Sequence, residues 1–104
     1  MHEIAKADTG KKLDVRIGEF LKLRLPENPT TGYRWQLLAS GSPTLQLTEQ
    51  SFAPSTASVG AGGMRSWVFR AELEGITRLE LEQRRSWERQ AVDRFNVTIA
   101  VSQQ

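Results

Sequence analysis

Strict alternation of apolar and polar residues is the feature that most limits how this chain can fold. A period of two places successive side chains on opposite faces of a β-strand, whereas a helix requires a period near 3.6 residues. No segment shows a convincing helical stripe, so the pattern predicts half-buried strands. The clearest apolar series are Leu21, Leu23 and Leu25; Trp67, Phe69, Ala71 and Leu73; and Phe95, Val97, Ile99 and Val101.

Turn-forming residues separate the apolar series. Gly41-Ser42-Pro43 and Glu74-Gly75 are two such turn signals. Six or seven short strands joined by turns predict an all-β antiparallel sandwich or barrel. The chain has 104 residues, which fits a single domain over residues 1–104 and leaves no room for a second core.

The three tryptophans are predicted to lie in different environments. Trp35 has Tyr33 and Leu37 two positions away, so alternation places all three on a core-facing side. A buried Trp on the third strand, as Trp35 would be, is typical of an immunoglobulin-like sandwich. Trp67 is in line with Phe69, Ala71 and Leu73 and has the same interpretation. Trp87 lies in the charged stretch QRRSWERQ and has no apolar residue two positions away. Its ring either folds back to cap the sandwich or stands exposed as a binding anchor.

The residues needed for most catalytic and metal chemistry are absent. The chain has no Cys, which excludes disulfides, thiolate metal sites and Cys nucleophiles. The single His, His2, lies in a terminus that is expected to be frayed. No His or carboxylate cluster has metal-ligand spacing, and the carboxylates of Glu80 and Glu82 alternate as solvent-facing charges do. We therefore expect no enzymatic activity, no cofactor and no metal.

Charge and hydropathy also limit the partners and the compartment. The net charge of +2 is too small to indicate a nucleic-acid partner, and no apolar run approaches the ~20 residues that span a bilayer. We expect a monomer. The stretch MHEIAKADTGKK has no apolar signal-peptide core, so the sequence as given is expected to be cytoplasmic. A trimmed leader would make it periplasmic or secreted.

Three segments depart from the strand pattern. They are Asn28-Pro29-Thr30-Thr31-Gly32-Tyr33, Gly60-Ala61-Gly62-Gly63 and Arg85-Ser86-Trp87. In an immunoglobulin-like topology the B–C and F–G loops share one end, and a D–E loop can lie beside them. We therefore expect the three segments to form one continuous surface.

In motif order and spacing these segments resemble the chagasin family, inhibitors of papain-like cysteine peptidases. That family is marked by NPTTG followed by an aromatic residue, by GxGG, and by RPW or RPF. The first two motifs are complete here, and the third has Ser86 where the family usually has Pro. The resemblance implies an immunoglobulin-like antiparallel β-sandwich of about seven strands. It also implies a reversible competitive inhibitor that wedges three loops into the active-site cleft.

The resemblance assigns a role to each segment. Thr31 would approach the catalytic Cys of the peptidase, on a tip held by the fixed φ of Pro29 and the positive φ allowed by Gly32. The glycine segment would pair with main chain on the non-primed side. Trp87 would be an anchor on the primed side. The implied peptidase-binding residues are Asn28, Pro29, Thr30, Thr31, Gly32, Tyr33, Gly60, Ala61, Gly62, Gly63, Arg85, Ser86 and Trp87.

Two alternatives without peptidase inhibition remain at this stage. An immunoglobulin-like module could bind carbohydrate or another protein surface, with Trp87 stacking on a sugar ring. Such a module usually exposes more than one aromatic residue. A nucleic-acid binder could use Trp87 and the arginines of residues 84–94, and a steep loss of affinity with salt would support it.

Overall fold

The computed structural model describes residues 1–55 and 62–103. In them eight strands form two four-stranded sheets, with the orders β1-β3-β6-β5 and β2-β8-β7-β4. This arrangement confirms the predicted all-β sandwich. The strands are β1 (His2–Ala5), β2 (Lys12–Arg16), β3 (Phe20–Glu27), β4 (Arg34–Ser40), β5 (Leu45–Pro54), β6 (Gly63–Ala71), β7 (Gly75–Arg84) and β8 (Asp93–Ser102). Two 3₁₀ helices cover Lys6–Asp8 and Pro29–Thr31.

Two strand pairs add parallel pairing to the antiparallel sheets. Strand β1 runs parallel to β3 and β2 runs parallel to β8, while the other four pairs are antiparallel. The expectation of a frayed terminus at His2 was wrong, because β1 pairs along its length with residues 21–24. Its four residues are too few to show alternation. Ile4, which is buried in the core, is its only large apolar anchor.

The inward side chains of both sheets form one core, as the alternation predicted. Trp35 and Trp67 are 6% and 2% exposed, and the inward residues of β3 and β8 are buried with them. Leu73 is the exception, with 50% of its surface exposed. Strand β6 ends at Ala71, so the chain has left the sheet before the next core position is reached.

The connections between strands fall into two sets at opposite ends of the sandwich. We call the end formed by residues 28–33, 62 and 85–92 the loop end, and the end formed by residues 17–19, 41–44 and 72–74 the turn end. Strand β3 runs from the turn end to the loop end. Among residues 1–55 and 62–103, no helix has the length and apolar character needed to cross a membrane.

Candidate functional site at the loop end

The Asn28–Tyr33 segment is closed on itself by hydrogen bonds. The side-chain Oδ1 of Asn28 accepts from the backbone N of Thr30 at 3.1 Å and from its hydroxyl at 2.6 Å. The backbone N–H groups of Thr31 and Gly32 donate to the carbonyls of Asn28 and Pro29, each at 3.2 Å. The Thr31 hydroxyl donates to the Asn28 carbonyl at 2.8 Å. The tip is therefore a compact turn rather than an extended strand.

Position 32 requires a glycine for two reasons, its left-handed backbone conformation and the Trp87 ring that packs against it. Its φ of +80° and ψ of −5° lie in the left-handed region, as predicted, where any residue with a Cβ is strained. A Cβ at this position would lie 2.9 Å from Cη2 of Trp87. The Trp87 ring therefore rests directly on the tip of the first segment.

Arg85 joins the first segment to the third. Its Nε donates to the carbonyl oxygen of Thr31 at 3.0 Å, across 54 residues of sequence. Its guanidinium carbon lies 4.2 Å from the centre of the Tyr33 ring and 5.7 Å from that of Trp87. Such cation–π contacts stabilise by about 0.5–1 kcal/mol at exposed sites. One side chain thus holds both loops and both aromatic rings.

The position of Tyr33 differs from the sequence prediction. Alternation placed it on the core side with Trp35 and Leu37, but β4 begins only at Arg34 and Tyr33 is half-buried beneath Arg85. Gly32 turns the chain just before this position. The period-two rule therefore does not reach back to Tyr33.

The third segment is a β-turn. The backbone N of Glu88 donates to the Arg85 carbonyl at 3.1 Å, which places Ser86 and Trp87 at the two central positions. Trp87 is 71% exposed, so its ring is not folded into the sandwich, and its role as an anchor stays a prediction. Arg84 fixes the far side of the turn, since its Nη1 donates to the Glu88 carbonyl at 2.9 Å.

Gly62 and Gly63, the described residues of the glycine segment, pack against the start of the first segment. Gly62 has a φ of +77°, and a Cβ there would lie 2.8 Å from the carbonyl oxygen of Glu27 and 3.0 Å from Cβ of Asn28. Gly63 pairs with Glu27 on one side and with Pro54 on the other, and any side chain there would overlap the Ala53 carbonyl. Gly60 and Ala61 lie outside the described residues.

Sequence analysis missed one residue of this end, Glu27. Its side chain is fully buried, although it carries a charge. One carboxylate oxygen accepts from the backbone N of Trp35 at 2.8 Å. The other accepts from Nε of Arg65 at 2.8 Å and forms an ion pair with its Nη2 at 2.7 Å. The signal was available, because Glu27 is the next inward position after Leu25 on β3.

The described parts of the three segments therefore form one surface, as expected. No group of three or more His, Asp or Glu side chains within the described residues could hold a metal ion. The surface carries an exposed aromatic ring, a closed threonine turn and bare glycine backbone. Those are features of a surface that binds a protein.

Comparison with known proteins identifies the class. Residues 14–99 match the family model described as "Chagasin family peptidase inhibitor I42". The chain belongs to this family, whose members are peptidase inhibitors and not enzymes. It is similar to Chagasin of Trypanosoma cruzi, with 31% identity over 91 residues that cover 83% of each chain.

Solved structures share the fold. The cysteine protease inhibitor EhICP2 of Entamoeba histolytica has a TM-score of 0.85 at 18% identity, covering 97% of this chain and 94% of its own. The inhibitor PbICP-C, solved in complex with falcipain-2, has a TM-score of 0.62 at 16% identity, with 98% of both chains covered. These similarities confirm the predicted immunoglobulin-like sandwich. That the thirteen residues of the three motifs contact a peptidase stays a prediction.

Proposed function

We propose that this chain is a reversible, competitive inhibitor of papain-like cysteine peptidases and that its loop end enters their active-site cleft. The observation that carries the proposal is the joining of the first and third motifs by Arg85, which bonds to Thr31 and stacks on Tyr33 and Trp87. Family membership supports the activity. The joined loops support the surface.

The first segment is built to occupy a cleft without being cut. Attack by a catalytic thiolate needs a carbonyl carbon roughly 3–3.5 Å away in an aligned geometry. It also needs a carbonyl oxygen that can accept the donors of an oxyanion hole. Here the carbonyl oxygens of Asn28, Pro29 and Thr31 already accept hydrogen bonds within the inhibitor. Because these bonds hold residues 29–31 in a closed 3₁₀ turn, we expect Thr31 to fill the site without presenting an extended peptide bond to attack.

The other two segments supply affinity on either side. Trp87 offers a large, rigid aromatic surface, of the kind that dominates binding energy in protein interfaces. The family resemblance assigns main-chain pairing with a cleft wall to the glycine segment, and Gly62 turns the chain with a φ of +77° immediately before β6. Because Arg85 and the sheet already order these parts, little conformational entropy is lost on binding.

The decisive experiment is a titration of papain activity with the purified protein. We expect complete, reversible inhibition at a 1:1 ratio, relieved by raising the concentration of a peptide substrate. A trypsin-like serine peptidase and a metallopeptidase should keep full activity. Undiminished papain activity at micromolar protein would contradict the proposal, and so would rapid cleavage within residues 28–33.

A further inference from the structure

The core is closed at the loop end by an ion pair instead of apolar side chains. On β3 the inward series of Leu21, Leu23 and Leu25 continues to Glu27, and on β6 Arg65 occupies the inward position before Trp67. The Glu27 side chain is 0% exposed and that of Arg65 is 24% exposed. Every other inward position of β3 is apolar. The charged pair is therefore a specific departure at the base of the three motifs.

Glu27 connects elements that come from both sheets. Its bond to the Trp35 backbone reaches the first residues of β4, in the opposite sheet, immediately after the Asn28–Tyr33 segment. Its bonds to Arg65 reach β6 just beyond Gly62 and Gly63. The Arg65 guanidinium also lies 5.2 Å above the ring of Phe52 on β5. One carboxylate thus touches the bases of the first and second motifs.

Stability alone does not account for this pair. Taking two charges out of water carries a penalty that their mutual attraction only partly offsets, and apolar residues of similar size are often equally stabilising. What the pair adds is direction, because two hydrogen bonds and an ion-pair contact join Glu27 on β3 to the Trp35 backbone on β4 and to the Arg65 side chain on β6. An apolar pair would leave the backbone ladder between β3 and β6 in place, but it would lose the bond from Trp35 that holds β4 to Glu27 across the two sheets.

We propose that Glu27 is a positioning residue for inhibition, which sets the separation of the Asn28–Tyr33 segment from the glycine segment through its bonds to Trp35 and Arg65. The inference rests on the proposed function. Glu27 itself is buried and does not touch the peptidase. It acts by fixing where Asn28 leaves β3 and where Gly62 enters β6.

The test replaces the pair by two methionines, Glu27→Met with Arg65→Met. Removal of a buried and a partly buried charge offsets the loss of an acceptor for the Trp35 N–H, so we expect the melting temperature to stay within about 5 °C of the wild type. The dissociation rate of the papain complex should nevertheless rise about tenfold, because loops that are placed less firmly release sooner. Wild-type dissociation from a double variant of wild-type stability would overturn the proposal.

Two further variants keep the test decisive. Arg65→Lys keeps the charge but offers one nitrogen where the guanidinium offers two, so dissociation should speed up several-fold without unfolding. If the double variant does not fold, the test rests on Arg65→Lys. In that case an unchanged dissociation rate of its papain complex rejects the proposal. Arg78→Gln with Glu80→Gln removes an exposed pair whose nitrogen and oxygen lie 3.5 Å apart, and it should leave the rate unchanged.

A measurement without a peptidase separates this inference from the proposed function. Amide hydrogen exchange and ¹⁵N chemical shifts report the Trp35 N–H and residues 28–32 directly. In the double variant, or in Arg65→Lys if that alone folds, we expect faster Trp35 exchange and shifted loop resonances. If the wild type fails to inhibit papain but these changes occur, only the proposed function is wrong. Unchanged loop resonances would reject the positioning role whatever the inhibition.

Discussion

The two ends of the sandwich close their strand connections by different means. At the turn end, most bonds are backbone to backbone: the N–H groups of Gly18, Leu45 and Glu72 donate to the carbonyls of Ala71, Gly41 and Thr44 at 2.8–2.9 Å. The exception is the Glu19 side chain, which bonds to the Arg16 N–H and to His2. At the loop end, side chains bridge separate connections. Arg85 reaches Thr31 across 54 residues, and Arg65 reaches Glu27 across 38.

This difference implies that the two ends serve different purposes, with the turn end contributing mainly to stability and the loop end mainly to recognition. Backbone bonds form with almost any side chain, so the turn end tolerates substitution wherever the dihedral angles allow it. Side-chain bridges depend on particular residues, and they hold the described parts of the three segments in one arrangement before a partner arrives. We therefore expect substitutions at the loop end to change inhibition more than stability, and substitutions at the turn end to do the reverse.

The largest effect is expected for Trp87→Ala. It removes an anchor that is 71% exposed, so inhibition should weaken by about 2 kcal/mol, roughly 30-fold, while the melting temperature stays the same. Ile76→Ala is the matched control, because Ile76 is 72% exposed near the turn end. Inhibition constants and thermal melts of both variants test the comparison. Equal inhibition by the two would contradict the anchor role.

Gly32→Ala and Gly18→Ala form the next pair. Both glycines have a left-handed φ, +80° and +91°, so both variants should lose about 1–2 kcal/mol of folding stability. A Cβ at Gly32 also meets the Trp87 ring, whereas one at Gly18 meets nothing within 4 Å. Only Gly32→Ala should weaken inhibition. An equal loss of inhibition in both variants would show that strain, and not the loop contact, is responsible.

Thr31→Ala should weaken inhibition by about 1 kcal/mol, since it removes the hydroxyl bond to the Asn28 carbonyl that helps to close the tip. Thr31→Ser keeps that hydroxyl and should recover most of the loss. The inhibition constants of the two variants are the measurement. If serine performs no better than alanine, the β-branched methyl and not the hydroxyl is the contributing group.

Ser86→Pro should tighten inhibition by a few tenths of a kcal/mol to about 1 kcal/mol. Ser86 occupies the second position of the Arg85–Glu88 turn, where proline is favoured, and no described residue accepts a hydrogen bond from its amide. Proline would restrict the unbound loop without removing a contact. Weaker inhibition by a protein of unchanged melting temperature would instead show that the serine hydroxyl contributes to binding.

The smallest expected effect is on the stability of the turn end at acidic pH. Hydrogen bonds from the Arg16 backbone N–H and then from His2 hold the pKa of Glu19 below its ordinary value of 4.5. Because the folded pKa is the lower one, this stabilisation is present above pH 4.5 and is lost as the pH falls through and below that value. Glu19→Gln should flatten the melting temperature over this range. Inhibition at neutral pH should not change.

Sequence patterns predicted the layers better than the contacts. Alternation located the buried faces of β3, β6 and β8 because burial of one face is a property of each strand alone. It did not reveal that β1 pairs in parallel with β3 and that β2 pairs in parallel with β8, since strand direction leaves no mark on a period of two. Leu73 and Tyr33 were misplaced for a related reason. Alternation describes a strand but does not say where the strand stops.

At the candidate site, motif and topology predicted the meeting of three segments but not the bonds that join them. The Arg85–Thr31 contact depends on tertiary placement across 54 residues, and no local rule specifies it. The burial of Glu27, in contrast, could have been predicted from the sequence. A charged residue that continues an apolar inward series marks a buried ion. On the neighbouring strand Arg65, which pairs with Leu25, is the nearest inward-facing cation.

The bridging by Arg85 bears on whether this surface can be transplanted. A linear peptide copying residues 28–33 would keep the Asn28 cap but lose the guanidinium on Thr31 and the ring over Gly32. Such a peptide must order itself at the moment of binding, at about 1–2 kcal/mol of backbone entropy per residue. The useful unit for engineering is therefore the Asn28–Tyr33 segment together with the Arg85–Trp87 turn, carried on a scaffold that presents both at this spacing.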